Sequence, residues 1–66
     1  MKLDKTKVYL AMAEKKMNRS QIAKETGISP STLRYAVAGI SNTRPDTAEK
    51  IAAALEVKLE DILESV

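Results

Sequence analysis

The chain contains no cysteine and no histidine. Disulfides, thiolate and imidazole metal ligands, and cysteine or histidine nucleophiles are therefore all excluded. Long apolar stretches are also missing. The longest are Val8–Ala13 and Ile51–Leu55, far below the ~20 residues of a membrane span or the core of a signal peptide. Asn-Gly hairpin signals and β-branched runs are absent too, which argues against strands. These absences lead to the expectation of a cytoplasmic, cofactor-free protein that opens on its own Met1, with no metal, no membrane partner and no small-molecule ligand. Sixty-six residues make one domain over 1–66, because so short a chain buries only ~60% of its unfolded surface and cannot support a second core.

Charge is scarce in sum but uneven in placement. The net value is +2, yet residues 1–44 carry nine Lys/Arg against three Asp/Glu, and residues 45–66 carry two against six. One end suits a polyanion and the other does not. Charge alone is equally consistent with solvated helix faces, so motif and spacing must carry the argument.

Apolar residues recur at helical spacing, and the punctuation fits five short helices. The first runs from about Asp4 to Lys16, with Val8, Ala11 and Met12 on one face. A second spans about Ser20 to Thr26 and stops at Gly27, the residue that best tolerates the left-handed conformation past a helix end. Ser29-Pro30 opens a third, with Ser as N-cap and Pro at the first helical position, where its missing amide costs nothing. That helix is expected to end near Gly39, and Ile40–Arg44 reads as a polar loop. Pro45 then starts a fourth helix whose Ala48, Ile51, Ala52 and Leu55 fall at i, i+3, i+4 and i+7. A last helix is expected over about Leu59 to Glu64.

The informative stretch is Arg19 to Gly39. Two helices crossing through a three- or four-residue turn need a small residue where they touch, here Ala23, and a chain-reversing Gly, here Gly27. Ile22, Ile28 and Leu33 serve as inward anchors, while the intervening positions of the helix opened by Ser29-Pro30 stay polar. The result is an exposed face able to enter a major groove. Taken together, Ile22-Ala23, Gly27-Ile28-Ser29, Leu33, Gly39, Arg44-Pro45 and the run from Ile51 to Leu63 resemble the Cro/phage-repressor type of helix-turn-helix domain over about residues 4–64.

The resemblance implies an all-α, five-helix, lambda-repressor-like fold and a phage or bacterial transcription regulator. Its second and third helices would bind operator DNA, with the protein acting as a homodimer. Three positions depart from the family's habit. Met12 and Val37 stand where members often carry an Arg and a Glu, a coherent joint exchange because well-packed apolar residues can replace a buried ion pair without loss. Ala36 stands where a larger aliphatic is common. Glu56 stands where Gly is usual, and a left-handed Glu there would cost on the order of 1 kcal/mol.

Carried over position by position, Ser29, Pro30, Ser31, Arg34 and Tyr35 become the candidates for base contact. Arg34 suits a guanine, since its planar fork can donate two hydrogen bonds to O6 and N7. Tyr35 either meets a thymine methyl or a phosphate, or covers the edge of the core; Pro30 offers apolar contact and helix initiation. Asn18, Arg19, Thr32, Asn42, Thr43 and Arg44 become the candidates for phosphate contact, which fixes register without reading sequence. Leu59, Ile62 and Val66 are candidates either for an apolar dimer patch or for the core.

An enzyme is the weakest reading, because no Ser, Asp or Glu has a visible activating partner and no Gly-rich phosphate loop is present. The alternative of weight is a helical protein-interaction module, an antitoxin or antirepressor, that uses the same fold to hold a protein partner.

Overall fold

Residues 1–40 and 42–64 are described by the structure, a computed structural model. Their regular elements are four α-helices, α1 (Lys5–Lys15), α2 (Arg19–Thr26), α3 (Pro30–Val37) and α4 (Pro45–Ala54), followed by a single 3-10 turn at Leu59–Asp61. Local chemistry sets most of the boundaries. The Asp4 carboxylate accepts from the Lys7 amide at 3.0 Å and caps α1. Lys16 then turns left-handed at φ 57° and ends it. Asn18 and Gln21 cap α2 reciprocally, each side-chain oxygen accepting from the other's amide at 2.9 Å. Gly27, at φ 75°, closes α2 as expected.

The core lies where the apolar faces of the helices converge. Val8 and Met12 from α1, Ile22 from α2, Leu33 and Val37 from α3, and Ile51 from α4 are all buried in one cluster. Each large side chain withdrawn from water in this way contributes ~1.5–3 kcal/mol, the main stabilising term available to a chain without disulfides. Met12 and Val37 share this cluster, and α1 packs on α3. An apolar pair at these positions is thus compatible with the interior.

The two ends of the chain meet. Leu3, a lone apolar residue between Lys2 and Asp4, is only 1% exposed and belongs to the core. Asp4 N–H donates to the Ile62 carbonyl at 2.8 Å, and Glu64 N–H donates to the Lys2 carbonyl at 3.0 Å. Leu3 and Leu63 thereby form an isolated antiparallel bridge. The stretch Met1–Asp4 also passes beneath the end of α3: a β-carbon added to Gly39, itself at φ 69°, would lie 2.7 Å from the Leu3 carbonyl oxygen.

This meeting corrects the expected fifth helix. Asp61 accepts from the Lys58 amide at 3.2 Å and starts one 3-10 turn. The backbone of Ile62 and Glu64 then bonds to Lys2 and Asp4 instead of continuing a helix. Ile62 is fully buried and Leu59 and Leu63 pack partly buried against the core, so Ile62 offers no exposed dimer patch. Val66 lies outside the described residues. Glu56 does adopt the left-handed conformation, at φ 56°, and pairs with Lys15 on the surface.

Candidate nucleic-acid interface

The α2–turn–α3 unit is built from the inside outward. Ile22 and Leu33 are fully buried, and Ala23 and Ile28 pack partly buried against them, so the two helices are clamped by their apolar faces. Thr26 reinforces the turn: its hydroxyl donates to the Ile22 carbonyl at 2.7 Å and accepts from the Ile28 amide at 3.3 Å. Ser29 caps α3 twice over, accepting from the Thr32 amide at 3.3 Å and donating to the Thr32 hydroxyl at 2.9 Å. Pro30 occupies the first helical position.

With Leu33, Ala36 and Val37 committed to the core, the 3.6-residue period divides the rest of α3 into a crest and two flanks. Ser31 and Tyr35 form the exposed crest, directly opposite the core face. Pro30 and Arg34 form one flank and line an open groove of about 670 Å³ shared with α2. The floor of that groove comes from Ala23, Gly27, Ile28 and Leu33. Arg19, Lys24 and Arg34 stand around it, and no acidic residue lines it. Thr32 forms the other flank. It faces a smaller depression of about 370 Å³, shared with Ala36, Asn42, Thr43, Arg44 and Thr47, at the start of α4.

That start is electropositive. α4 has no side-chain cap, so the amides of Asp46 and Thr47 lack both intrahelical and capping partners, and the N-cap residue is the cationic Arg44. Asp46 in the same turn offsets part of this field.

Of the base-contact candidates, Ser29, Pro30, Ser31, Arg34 and Tyr35 are all exposed. Their roles differ, because the Ser29 hydroxyl is occupied by the cap. Of the phosphate-contact candidates, Asn18, Arg19, Thr32, Asn42 and Arg44 are exposed on either side of α3. Asn18 also serves as the α2 cap through its oxygen. The Thr32 hydroxyl accepts from Ser29, which leaves its own proton available for donation.

Thr43 differs from the other candidates. Its side chain is 6% exposed, and its hydroxyl oxygen is buried without a hydrogen-bond partner. Its amide donates to the Met1 carbonyl at 2.6 Å, and its carbonyl accepts from the Met1 ammonium at 3.2 Å. Thr43 anchors the N-terminal stretch through its amide and carbonyl. A polar residue in a polar loop carries no sequence signal of such burial. The spacing does not reveal Lys24 as a member of the cationic groove either, since it reads as one more solvated helix lysine.

A family model described as helix-turn-helix matches residues 3–62. The chain belongs to the Cro/repressor-type helix-turn-helix family. The match begins at Leu3 and ends at Ile62, the two buried residues beside which the chain ends are bonded together. No curated protein and no solved structure matches the chain significantly. Membership makes this a DNA-binding helix-turn-helix regulator, of a family that is normally non-enzymatic. Among the described residues no helix is long and apolar enough to cross a membrane, and no cluster of three or more His, Cys, Asp or Glu is placed to hold a metal ion.

Proposed function

We propose that this helix-turn-helix protein is a sequence-specific transcription regulator, of the phage or bacterial repressor kind, that binds operator DNA as a homodimer with α3 in the major groove. The observation that carries the proposal is the division of labour around α3. An exposed polar crest, Ser31 and Tyr35, is flanked by Arg34 and by two cationic edges, Arg19 with Lys24 on the α2 side and Arg44 on the α4 side. Such an arrangement fits a duplex, whose base edges lie between two rows of phosphates.

In this reading Arg34, Ser31 and Tyr35 read base edges by polar or aromatic contact. Pro30 supplies apolar surface, and Ser29 positions the helix from its cap. Asn18, Arg19, Thr32, Asn42 and Arg44 hold the backbone. Selection of bound sequences from random duplex DNA tests it. A palindromic consensus is the expected result, because a two-fold dimer imposes its symmetry on the site. Recovery of sequences with no consensus would overturn the sequence-specific reading.

A second reading, a module that binds a protein partner, draws support from α1. Tyr9 and Leu10 are exposed on its outer face, Leu10 by 59%, with Thr6 and Ala13 at helical spacing beside them. The two readings separate by salt: DNA binding should weaken steeply with added salt as counterions return to the phosphates, whereas association through an apolar strip should not.

A further inference from the structure

Four chemistries are exposed at the leading end of α3, and two are already engaged. Ser29 uses its hydroxyl to accept from and donate to Thr32, and Thr32 faces the α4 side. Ser31 retains a free hydroxyl on the crest. Pro30 is exposed but has neither an amide proton nor a side-chain donor or acceptor. Its ring continues the apolar floor that Ala23 and Ile28 form over the buried Leu33, and the rim carries Arg19, Lys24 and Arg34 beside the neutral Ser20 and Ser29. An apolar concavity whose charged lining residues are all cationic complements a ligand that is anionic along its backbone and apolar at one point of its edge. A major-groove edge offers one apolar group, the C5 methyl of thymine.

We propose that this groove is a methyl-reading subsite: the Pro30 ring and the apolar floor receive a thymine C5 methyl, while Arg19 and Lys24 hold the adjoining phosphates. The inference rests on the DNA-binding reading above. It also fixes a spacing. Pro30 and Arg34 are four residues apart on the same flank, about 6 Å along the helix at 1.5 Å per residue. That is slightly less than two base steps of ~3.4 Å. The thymine therefore lies one or two base pairs from the guanine read by Arg34.

The test replaces each thymine of a selected half-site, one at a time, with deoxyuridine, which removes only the methyl. At one thymine within two base pairs of the guanine, wild-type affinity falls about fourfold, the worth of one methyl returned to water. In Pro30→Ser that deoxyuridine effect disappears, while substitution of the guanine remains costly. Should the serine variant lose its helical circular dichroism, Pro30→Ala, a good helix former, replaces it in the same cycle and reduces the effect. Specific binding with no deoxyuridine effect at any thymine, or with the same effect in wild type and variant, overturns the methyl subsite and leaves DNA reading intact. Failure to prefer any duplex overturns the DNA reading and this subsite with it.

Discussion

Thr43→Val should make the protein more stable. In the folded chain the Thr43 hydroxyl is closed off from solvent and has no partner, although the backbone amide and carbonyl of the same residue are satisfied by Met1. In the unfolded chain the hydroxyl is hydrated, so folding strips it of hydrogen bonds and returns none. A buried unsatisfied polar group costs ~1–3 kcal/mol, and a methyl in its place adds ~0.8 kcal/mol of burial. Valine has the same shape and the same β-branched backbone preference, so neither strain nor a cavity offsets the gain. A net stabilisation of ~2–4 kcal/mol follows, which for a domain of this size raises Tm by roughly 4–8 °C per kcal/mol. Urea unfolding followed by circular dichroism measures it. Thr43→Ser, which keeps the hydroxyl and loses the methyl, should instead be less stable than wild type. Because the hydroxyl does not reach the surface, Thr43→Val should leave DNA affinity and its salt dependence unchanged. A destabilised valine variant would mean that the hydroxyl has a partner. A salt slope lower by about one would mean that the hydroxyl reaches a phosphate.

Other substitutions test the packing around the interface. Met12→Arg places an unpaired charge in the core and should cost a few kcal/mol, and Val37→Glu added to it should recover part of that loss; additive effects in denaturant unfolding would show that the two positions do not couple. Gly27→Ala should cost ~1 kcal/mol, the left-handed penalty alone, because nothing lies within 4 Å of the added carbon. Gly39→Ala should cost more than Gly27→Ala in the same measurement, since its added carbon also meets the Leu3 carbonyl at 2.7 Å. Equal losses would mean that Met1–Asp4 does not pass beneath α3 in solution.

The parts of the fold that were legible beforehand are those governed by near neighbours. Gly27, Ser29-Pro30 and Pro45 mark helix ends through their own backbone chemistry, and α2, α3 and α4 begin or end beside them. The inward faces of α1 and α4 followed from helical spacing. Long-range pairing was not legible. Leu59, Ile62 and Leu63 have helical periodicity, yet their backbone neighbours bond to Lys2 and Asp4 at the opposite end of the chain. Leu3 stands alone among polar residues and has no period to betray its burial. For the interface, the resemblance named the exposed residues of α3, but not which flank each occupies. The separation of Pro30 and Arg34 from Thr32 depends on the packing of α2 and of the α4 start against α3.

If α3 reads bases while its flanks hold phosphates, two arginine variants should differ in kind. Affinity of wild type, Arg34→Ala and Arg44→Ala is measured on a selected site and on an unrelated duplex over a range of salt concentrations. Arg34→Ala should lose ~1–3 kcal/mol on the selected site and relax base preference at one position. Arg44→Ala should weaken both duplexes alike and lower the salt slope by about one. Equal weakening of every duplex by both variants would make Arg34 a phosphate contact and pass base reading to Ser31 and Tyr35. No effect of either variant at any salt concentration would rule out DNA reading by α3 and favour a protein partner.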